Sequence, residues 1–413
     1  MNIAVMGQGP IGLPLAMAAV EAGHHVIGFE PDARCLEQLR GGVSPVEGIP
    51  DQTLEAALKS GRYRVTCEEE LLAGFDVAVI AMPTPQNARV ADLGAVREAA
   101  EALARHVRKG ATVVLESTAA HPGTTRNIVR PILEALSWMR AGTSFHLGFS
   151  PARVEPGNEQ WSLTHTPKIV SGLTEKCRDQ VEAFYTGITQ NVVPANSLEE
   201  AELAKVFEDA FRYVNIALVN ELCRVAHTLD VTAGHALALS GSDPVGFATF
   251  TPGPGADGHG LPVDPVHLSQ HGRAPQEKAF RLVELAQEIN EAQPAYVVGR
   301  LQEGLDTRHG KDLEGARVLA LGLACRTVTG SRRSPAAEVV VELERRGALV
   351  DVVDPLITEG PHPLCAPLPY SSYDAVVLLT VHDGFDLARV TAESGYVLDT
   401  RGVMPDAPHI ERL

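Results

Sequence analysis

Two doubly wound α/β domains with parallel sheets, joined by one long central helix, are what this sequence predicts. Three observations carry the expectation. From residue 1 to about 185, short β-branched runs alternate with Ala-, Leu- and Glu-rich stretches; the same alternation resumes near residue 317; and residues 197–230 between them contain neither Gly nor Pro. Strand-like segments alternating with helix-like ones mark a parallel sheet, because parallel neighbours must be joined by a crossover, usually helical. At 413 residues the chain is about three times the commonest domain size, which rules out a single small core.

The strand-like runs of the first domain are NIAVMG, HHVIGFE, DVAVIAM, ATVVLES, FHLGFS and KIVSG; those of the last are RVLALGLA, ALVDVVD, DAVVLLT and YVLDT. The long helix should start at a capping box formed by Ser197 and Glu200. It would span roughly 45 Å, more than a small domain's diameter, so it either bridges the two domains or forms a dimer core. Its Leu203, Val206, Phe207, Ala210, Phe211, Val214 and Leu218 make an apolar stripe. A homodimer through that stripe is expected, although burial within one subunit would serve it equally. The segment TPGPGADGHGLPVDP at 251–265 can be neither helix nor central strand. An irregular stretch of that length inside a compact protein is usually functional. The expected division is a dinucleotide-binding domain at 1–190, a central helical domain at 191–300 and a C-terminal α/β domain at 301–413.

Composition excludes several classes. With 45% hydrophobic and 21% charged residues and no apolar run near the roughly 20 residues of a membrane span, no membrane partner is expected. The net charge of -17 opposes binding to nucleic acid. The N-terminus enters a strand at once, without a basic segment and cleavage site, so a cytoplasmic protein is expected. Cys35, Cys67, Cys177, Cys223, Cys325 and Cys365 lack C-x-x-C spacing, and His227, His235, His267 and His271 lack ligand spacing, so neither metal nor disulfides are expected.

The chemistry begins at the first turn. Gly7-Gln8-Gly9-Pro10-Ile11-Gly12 follows the first strand and opens an Ala/Leu-rich helix, while Glu30 ends the second strand. This is the dinucleotide fingerprint of a Rossmann-like domain in its required setting. Gly7 makes the turn, Gly9 lets backbone approach the pyrophosphate, and Gly12 packs helix on strand. The helix N-terminus faces the phosphates with its positive end. Glu30 would bind the ribose 2′-hydroxyl and repel a 2′-phosphate, so NAD is expected over NADP.

With these motifs in order, the chain resembles the nucleotide-sugar dehydrogenases, the UDP-glucose and UDP-N-acetylmannosamine 6-dehydrogenase family. The resemblance runs nearly the whole length, through GQGPIGLPLA, MPTP at 82–85, ESTAAHPGTT at 116–125, AKVFEDAFRYVNIALVNEL, PGPGADGHGLPVDP, VLALGLA, RRSPA at 332–336 and DTRG at 399–402. It implies a nucleotide-diphosphate sugar substrate. It further places Pro83, Thr84, Thr118 and Arg332 near NAD; Arg153, Lys205, Phe250, Gly255, His259 and Gly260 at the substrate; and Lys205, Asp264, Thr118 and Asp209 at the chemistry.

The resemblance breaks selectively. Family members oxidise a primary alcohol twice, the second time through a thioester on a cysteine in a Gly-Gly-x-Cys-x-x-x-Asp loop. Here that loop reads Asp257-Gly258-His259-Gly260-Leu261-Pro262-Val263-Asp264, so the nucleophile's place is held by Gly260, which has no side chain. The family's Ser-Pro-Glu, whose carboxylate handles the hydrolytic water, is Ser150-Pro151-Ala152, and the asparagine one turn after the lysine is Asp209. A carboxylate repels an oxyanion that an amide would stabilise. A plainer reading of Lys205 and Asp209 is a surface i,i+4 pair. Loss of the thioester stage alone predicts an NAD-dependent oxidation that stops at a carbonyl. The rivals are a redox-neutral epimerase or dehydratase with a transient ketone, and a catalytically silent paralogue that binds both ligands.

Overall fold

The structure is a computed structural model that describes residues 1–46, 48–87, 90–118, 121–153, 162–256, 280–323, 334–357 and 369–413. These fall into two compact units, with residues up to Asp209 in the first and those from Ala210 in the second.

In the first unit the chain runs β1 (Asn2–Met6), α1 (Gly12–Glu21), β2 (His25–Phe29), α2 (Ala33–Arg40), α3 (Asp51–Lys59), β3 (Tyr63–Thr66) and β4 (Val77–Ile80). It continues through a short hairpin of β5 (Gln86–Asn87) and β6 (Val90–Ala91), then α4 (Gly94–Ala104), β7 (Thr112–Leu115), α5 (Arg130–Ser137), β8 (His146–Phe149), β9 (Lys168–Gly172), α6 (Glu175–Thr186) and β10 (Val192–Pro194). Eight strands form one sheet in the order β10-β9-β8-β7-β4-β1-β2-β3. Alternate residues serve opposite faces. Ala4, Met6, Ala78 and Ile80 pack with Val96, Leu103 and Leu133 of α4 and α5, whereas Ile3, Val5, Val77 and Val79 pack with Leu13, Leu15, Val181 and Phe184 of α1 and α6. Helices on both faces explain why these strands read as unbroken apolar runs.

One register departs from the parallel expectation, since β9 runs antiparallel to β8. No helix occurs among the described residues that connect them, and antiparallel neighbours, unlike parallel ones, need no helical crossover. Gly148 and Gly172, which face each other there, lie hard against α6: a Cβ on Gly172 would stand 2.1 Å from the Arg178 amide nitrogen.

The long helix α7 (Leu198–Thr228) follows, 31 residues in length. Ser197 Oγ accepts the Glu200 N–H at 3.1 Å, as the capping box requires, but the Glu200 carboxylate reaches back to the Asn196 N–H. The apolar stripe is divided. Val206 and Ala210 are buried, while Leu203, Phe207, Phe211 and Leu218 are 46%, 58%, 49% and 61% exposed, which leaves a covering for that face to be supplied.

The second unit continues with α8 (Ala233–Ser240), α9 (Arg281–Glu291), α10 (Gln293–His309), β11 (Arg317–Leu321), α11 (Pro335–Arg345), β12 (Leu349–Val353), β13 (Ala375–Leu378), α12 (Leu387–Glu393), β14 (Val397–Asp399) and β15 (Ile410–Arg412). Its five strands are all parallel, in the order β12-β11-β13-β14-β15. Among the described residues no helix is long and apolar enough to cross a membrane.

Candidate active site

The sheet of the first unit places Gly7, Glu30, Pro83, Thr84, Thr118 and Arg153 beyond the C-terminal ends of its strands, where ligands bind in open α/β sheets. Gly7 follows β1 at φ +90°, and a Cβ there would lie 2.7 Å from the Ala81 carbonyl oxygen. A Cβ on Gly12 would stand 1.9 Å from the Gly7 oxygen, so α1 approaches β1 as only glycine allows. A Cβ on Gly9 would meet nothing within 4 Å. Its backbone faces open space, with half-buried Pro10 and Ile11 after it. No side chain caps α1, and its first turn holds no acid. Phosphate therefore meets uncapped amides and the positive end of the helix dipole.

Glu30 follows β2 and is held ready. Its carboxylate accepts the Gln8 N–H at 2.9 Å and the Asp32 N–H at 3.0 Å, so the glycine loop itself aims the ribose-selecting group. The fully buried Gln8 amide donates to the Val5 and Gly7 carbonyls and accepts the Tyr63 hydroxyl at 2.7 Å. These residues fit a dinucleotide with free 2′-hydroxyl, and the group bound there would supply the hydride acceptor. Cys35 lies beside them; burial and the charges of Glu30 and Asp32 push its thiol up to about 12, which makes it a poor nucleophile.

Pro83 and Thr84 follow β4, and Thr118 follows β7. Ser117 ties the two segments together by donating to the Met82 carbonyl at 2.8 Å.

After β8 comes a group of ion pairs. Arg153 makes a two-pronged contact with Glu208 of α7, at 2.5 and 3.2 Å, and donates to the Pro167 carbonyl at 2.9 Å. Lys168, buried, pairs with Glu116 and donates to the Pro151 carbonyl at 3.0 Å; Tyr185 donates to the other Glu116 oxygen at 2.6 Å. Burial chiefly, and the charges of Arg153 and Lys205, push the Lys168 ammonium down, against the pull of Glu116. Lys168 thus clamps the backbone just ahead of Ala152. Sequence reasoning named Arg153 but passed over Lys168 and Glu116, although their signal is a charged residue next to each of two apolar runs.

The phase of α7 is set by Glu202, fully buried, which accepts the Thr125 N–H at 2.8 Å and the Thr125 hydroxyl at 2.6 Å. Positions 202, 205 and 209 share one helix face. Lys205 Nζ donates to Asp209 Oδ1 at 2.9 Å. Lys205 is 8% exposed and Asp209 1%, which corrects the plainer reading of a surface pair. The second oxygen, Asp209 Oδ2, is buried and has no hydrogen-bond partner among the described residues.

In the second unit, half-buried Phe250 packs edge-on against Phe211 with ring centroids 5.9 Å apart. Gly255 takes φ +149°, where a Cβ would press on Pro335 at 2.9 Å. A Cβ on Gly253 would stand 2.6 Å from an Arg401 nitrogen, so the described part of the glycine-rich segment packs against the DTRG turn. His259, Gly260, Asp264 and Arg332 lie outside the described residues, as do Cys325 and Cys365. A cavity of about 690 Å³ in this unit contains none of the predicted residues. The arginines that line it are engaged: Arg300 with Glu411, Arg308 with the Pro408 carbonyl and Arg412 with the Met404 carbonyl. Among the described residues no cluster suits a metal ion.

A glycine loop open to phosphate, a carboxylate poised for ribose and a buried lysine on the adjoining helix define a dinucleotide-dependent oxidoreductase. Comparison with known proteins narrows this. The NAD binding, central and UDP binding domains of the UDP-glucose/GDP-mannose dehydrogenase family match residues 1–189, 199–292 and 319–406. A UDP-N-acetyl-D-mannosamine dehydrogenase of Pyrococcus horikoshii is 33% identical over 415 residues, covering 99% of this chain and 97% of that protein. A UDP-N-acetyl-D-glucosamine 6-dehydrogenase of Pseudomonas aeruginosa is 31% identical, covering 93% and 91%. The solved structure of the Pyrococcus horikoshii UDP-D-ManNAc dehydrogenase superposes with a TM-score of 0.88 at 30% identity, covering 100% and 99% of the two chains. The chain belongs to the UDP-glucose/GDP-mannose dehydrogenase family. Its cofactor is NAD, and its C-terminal part is a UDP-binding domain.

Proposed function

We propose that the protein oxidises one hydroxyl of a nucleotide-diphosphate sugar to a carbonyl in a single two-electron step with NAD, forming neither thioester nor carboxylate. A secondary alcohol fits best, since the resulting ketone needs no further oxidation. The observation that carries the reading is the buried pair of Lys205 with Asp209, joined at 2.9 Å, together with Gly260 in the nucleophile's place. The ammonium stabilises charge that develops on the sugar oxygen. Asp209 has no amide N–H to offer a thiohemiacetal oxyanion, and Ala152 offers no base to a hydrolytic water.

In this reading Gly7, Gly9, Pro10, Ile11, Gly12, Glu30, Pro83, Thr84, Thr118 and Arg332 would hold NAD, which would supply the hydride acceptor. Lys205, Thr118 and Asp264 organise the hydroxyl, and Arg153, Phe250, Gly255, His259 and Gly260 line the substrate. The exposed row Leu203, Phe207, Phe211 and Leu218 supports a homodimer through α7, and a cytoplasmic location belongs to the same reading. The test is incubation with NAD and a panel of UDP-glucose, UDP-N-acetylglucosamine, UDP-N-acetylmannosamine and GDP-mannose, followed by mass spectrometry. Loss of two hydrogens from a sugar supports the proposal; loss of water, or unchanged mass with solvent deuterium incorporated, refutes it.

A further inference from the structure

We propose that Asp209 is the general base that takes the hydroxyl proton of the sugar through its unpartnered oxygen, with Lys205 holding the resulting alkoxide. This deepens the single-oxidation reading and rests on it.

A buried carboxylate oxygen without a donor is costly in a folded protein and calls for an explanation. Asp209 is 1% exposed; Oδ1 accepts Lys205 Nζ at 2.9 Å, and Oδ2 has no partner among the described residues. The other acids of the cluster are satisfied. Glu116 takes Lys168 and the Tyr185 hydroxyl, Glu208 takes both prongs of Arg153, and Glu202 takes the Thr125 amide and hydroxyl. Asp209 is therefore the acid of this group with an acceptor site left for a ligand's hydrogen.

The balance closes. The substrate O–H bond breaks and its proton joins Asp209 Oδ2; the C–H bond breaks and its hydride passes to NAD; the C–O bond becomes C=O. As the alkoxide appears, Asp209 becomes neutral, so the net charge around Lys205 does not change. Addition of a thiolate to an aldehyde would instead move the thiolate's negative charge onto the sugar oxygen, beside an Asp209 that takes up no proton in that step. The same aspartate that disfavours the thioester stage thus serves the first oxidation, and an amide at this position could not accept the proton.

The test uses the full chain, NAD and whichever of UDP-glucose, UDP-N-acetylglucosamine, UDP-N-acetylmannosamine or GDP-mannose the wild-type protein oxidises. Asp209→Asn keeps an acceptor for Lys205 and removes the base. It should lower kcat by about 10²-fold or more while calorimetric Kd values for NAD and the nucleotide sugar stay within about twofold. Asp209→Ala, which leaves room for a small acid, should regain activity when formate is added, a response that a purely structural aspartate would not give. Wild-type turnover with an equally fast Asp209→Asn protein, a defect confined to binding, or an Asp209→Ala protein that formate leaves inactive overturns the base role alone. A wild-type protein that forms no carbonyl from any of these sugars overturns the single-oxidation reading and the base role with it.

Discussion

In each unit a glycine at the end of the first strand is tied to the end of the neighbouring second strand. Gly7 N–H bonds the Phe29 carbonyl at 2.8 Å, and Gly322 N–H bonds the Val353 carbonyl at 2.9 Å. Both glycines take positive φ, +90° and +82°, and at both a Cβ would also strike the carbonyl that follows a neighbouring strand, of Ala81 at 2.7 Å or Thr380 at 2.4 Å. The carboxylate that ends the second strand is held alike. Glu30 accepts the Gln8 and Asp32 N–H groups at 2.9 and 3.0 Å, and Asp354 accepts those of Leu323 and Leu356 at 2.6 and 2.8 Å. The helices that follow differ. α1 begins without a side-chain cap or an acid in its first turn, whereas α11 is capped by Ser334, starts with Pro335 and carries Glu338 in its first turn. Asp354 also lies 3.3 Å from the buried His382. The strand and turn geometry belongs to the fold; the start of α1 is open to phosphate, whereas the start of α11 is closed by its own residues.

Paired substitutions test that contrast, and the largest effects should come at the turns. Gly322→Val meets both a positive φ and the Thr380 oxygen, and should cost roughly 3 kcal/mol or more of stability. Gly9→Val, whose Cβ points into open space, should leave the melting temperature unchanged and raise the Kd for NAD by about 100-fold, roughly 2.7 kcal/mol. Loss of stability in the second case would show that Gly9 is structural, as Gly322 is.

The carboxylates come next. Asp354→Ala strands the Leu323 and Leu356 amides and should cost about 2 kcal/mol in denaturant unfolding without altering NAD affinity. Glu30→Ala should weaken NAD by about tenfold, near 1.4 kcal/mol, and narrow its preference over NADP. Wild-type protein that prefers NADP would contradict the role given to Glu30. The smallest effect is at the cap: Ser334→Ala removes the acceptor for the Ala337 N–H and should cost about 1 kcal/mol.

What could be read from the sequence was local. Gly7 to Gly12 and Glu30 act through neighbours along the chain, and a helix free of Gly and Pro with a cap at Ser197 declares itself. Tyr63–Thr66 and Ile410–Arg412 escaped because these strands are short and carry polar residues, and Val192–Pro194 because it is three residues long and ends in Pro. The α7 stripe showed which residues are apolar, but helical period alone does not say which side is covered, and Val206 and Phe207 went opposite ways. The pairs Lys168 with Glu116 and Arg153 with Glu208 join residues 52 and 55 apart in sequence, and no spacing rule reaches across such loops. The burial of Asp209 and its open oxygen were equally invisible, for they depend on how α7 seats against the sheet.

The count of NADH formed per sugar consumed tests the central claim most directly. It is followed by absorbance with limiting nucleotide sugar and excess NAD, with mass spectrometry of the product. With Gly260, Ala152 and Asp209 in place of the groups of the thioester stage, the account predicts one NADH per sugar, a carbonyl product and no carboxylate. Two NADH per sugar with a carboxylate product from the unmodified protein would contradict it and require a nucleophile other than residue 260.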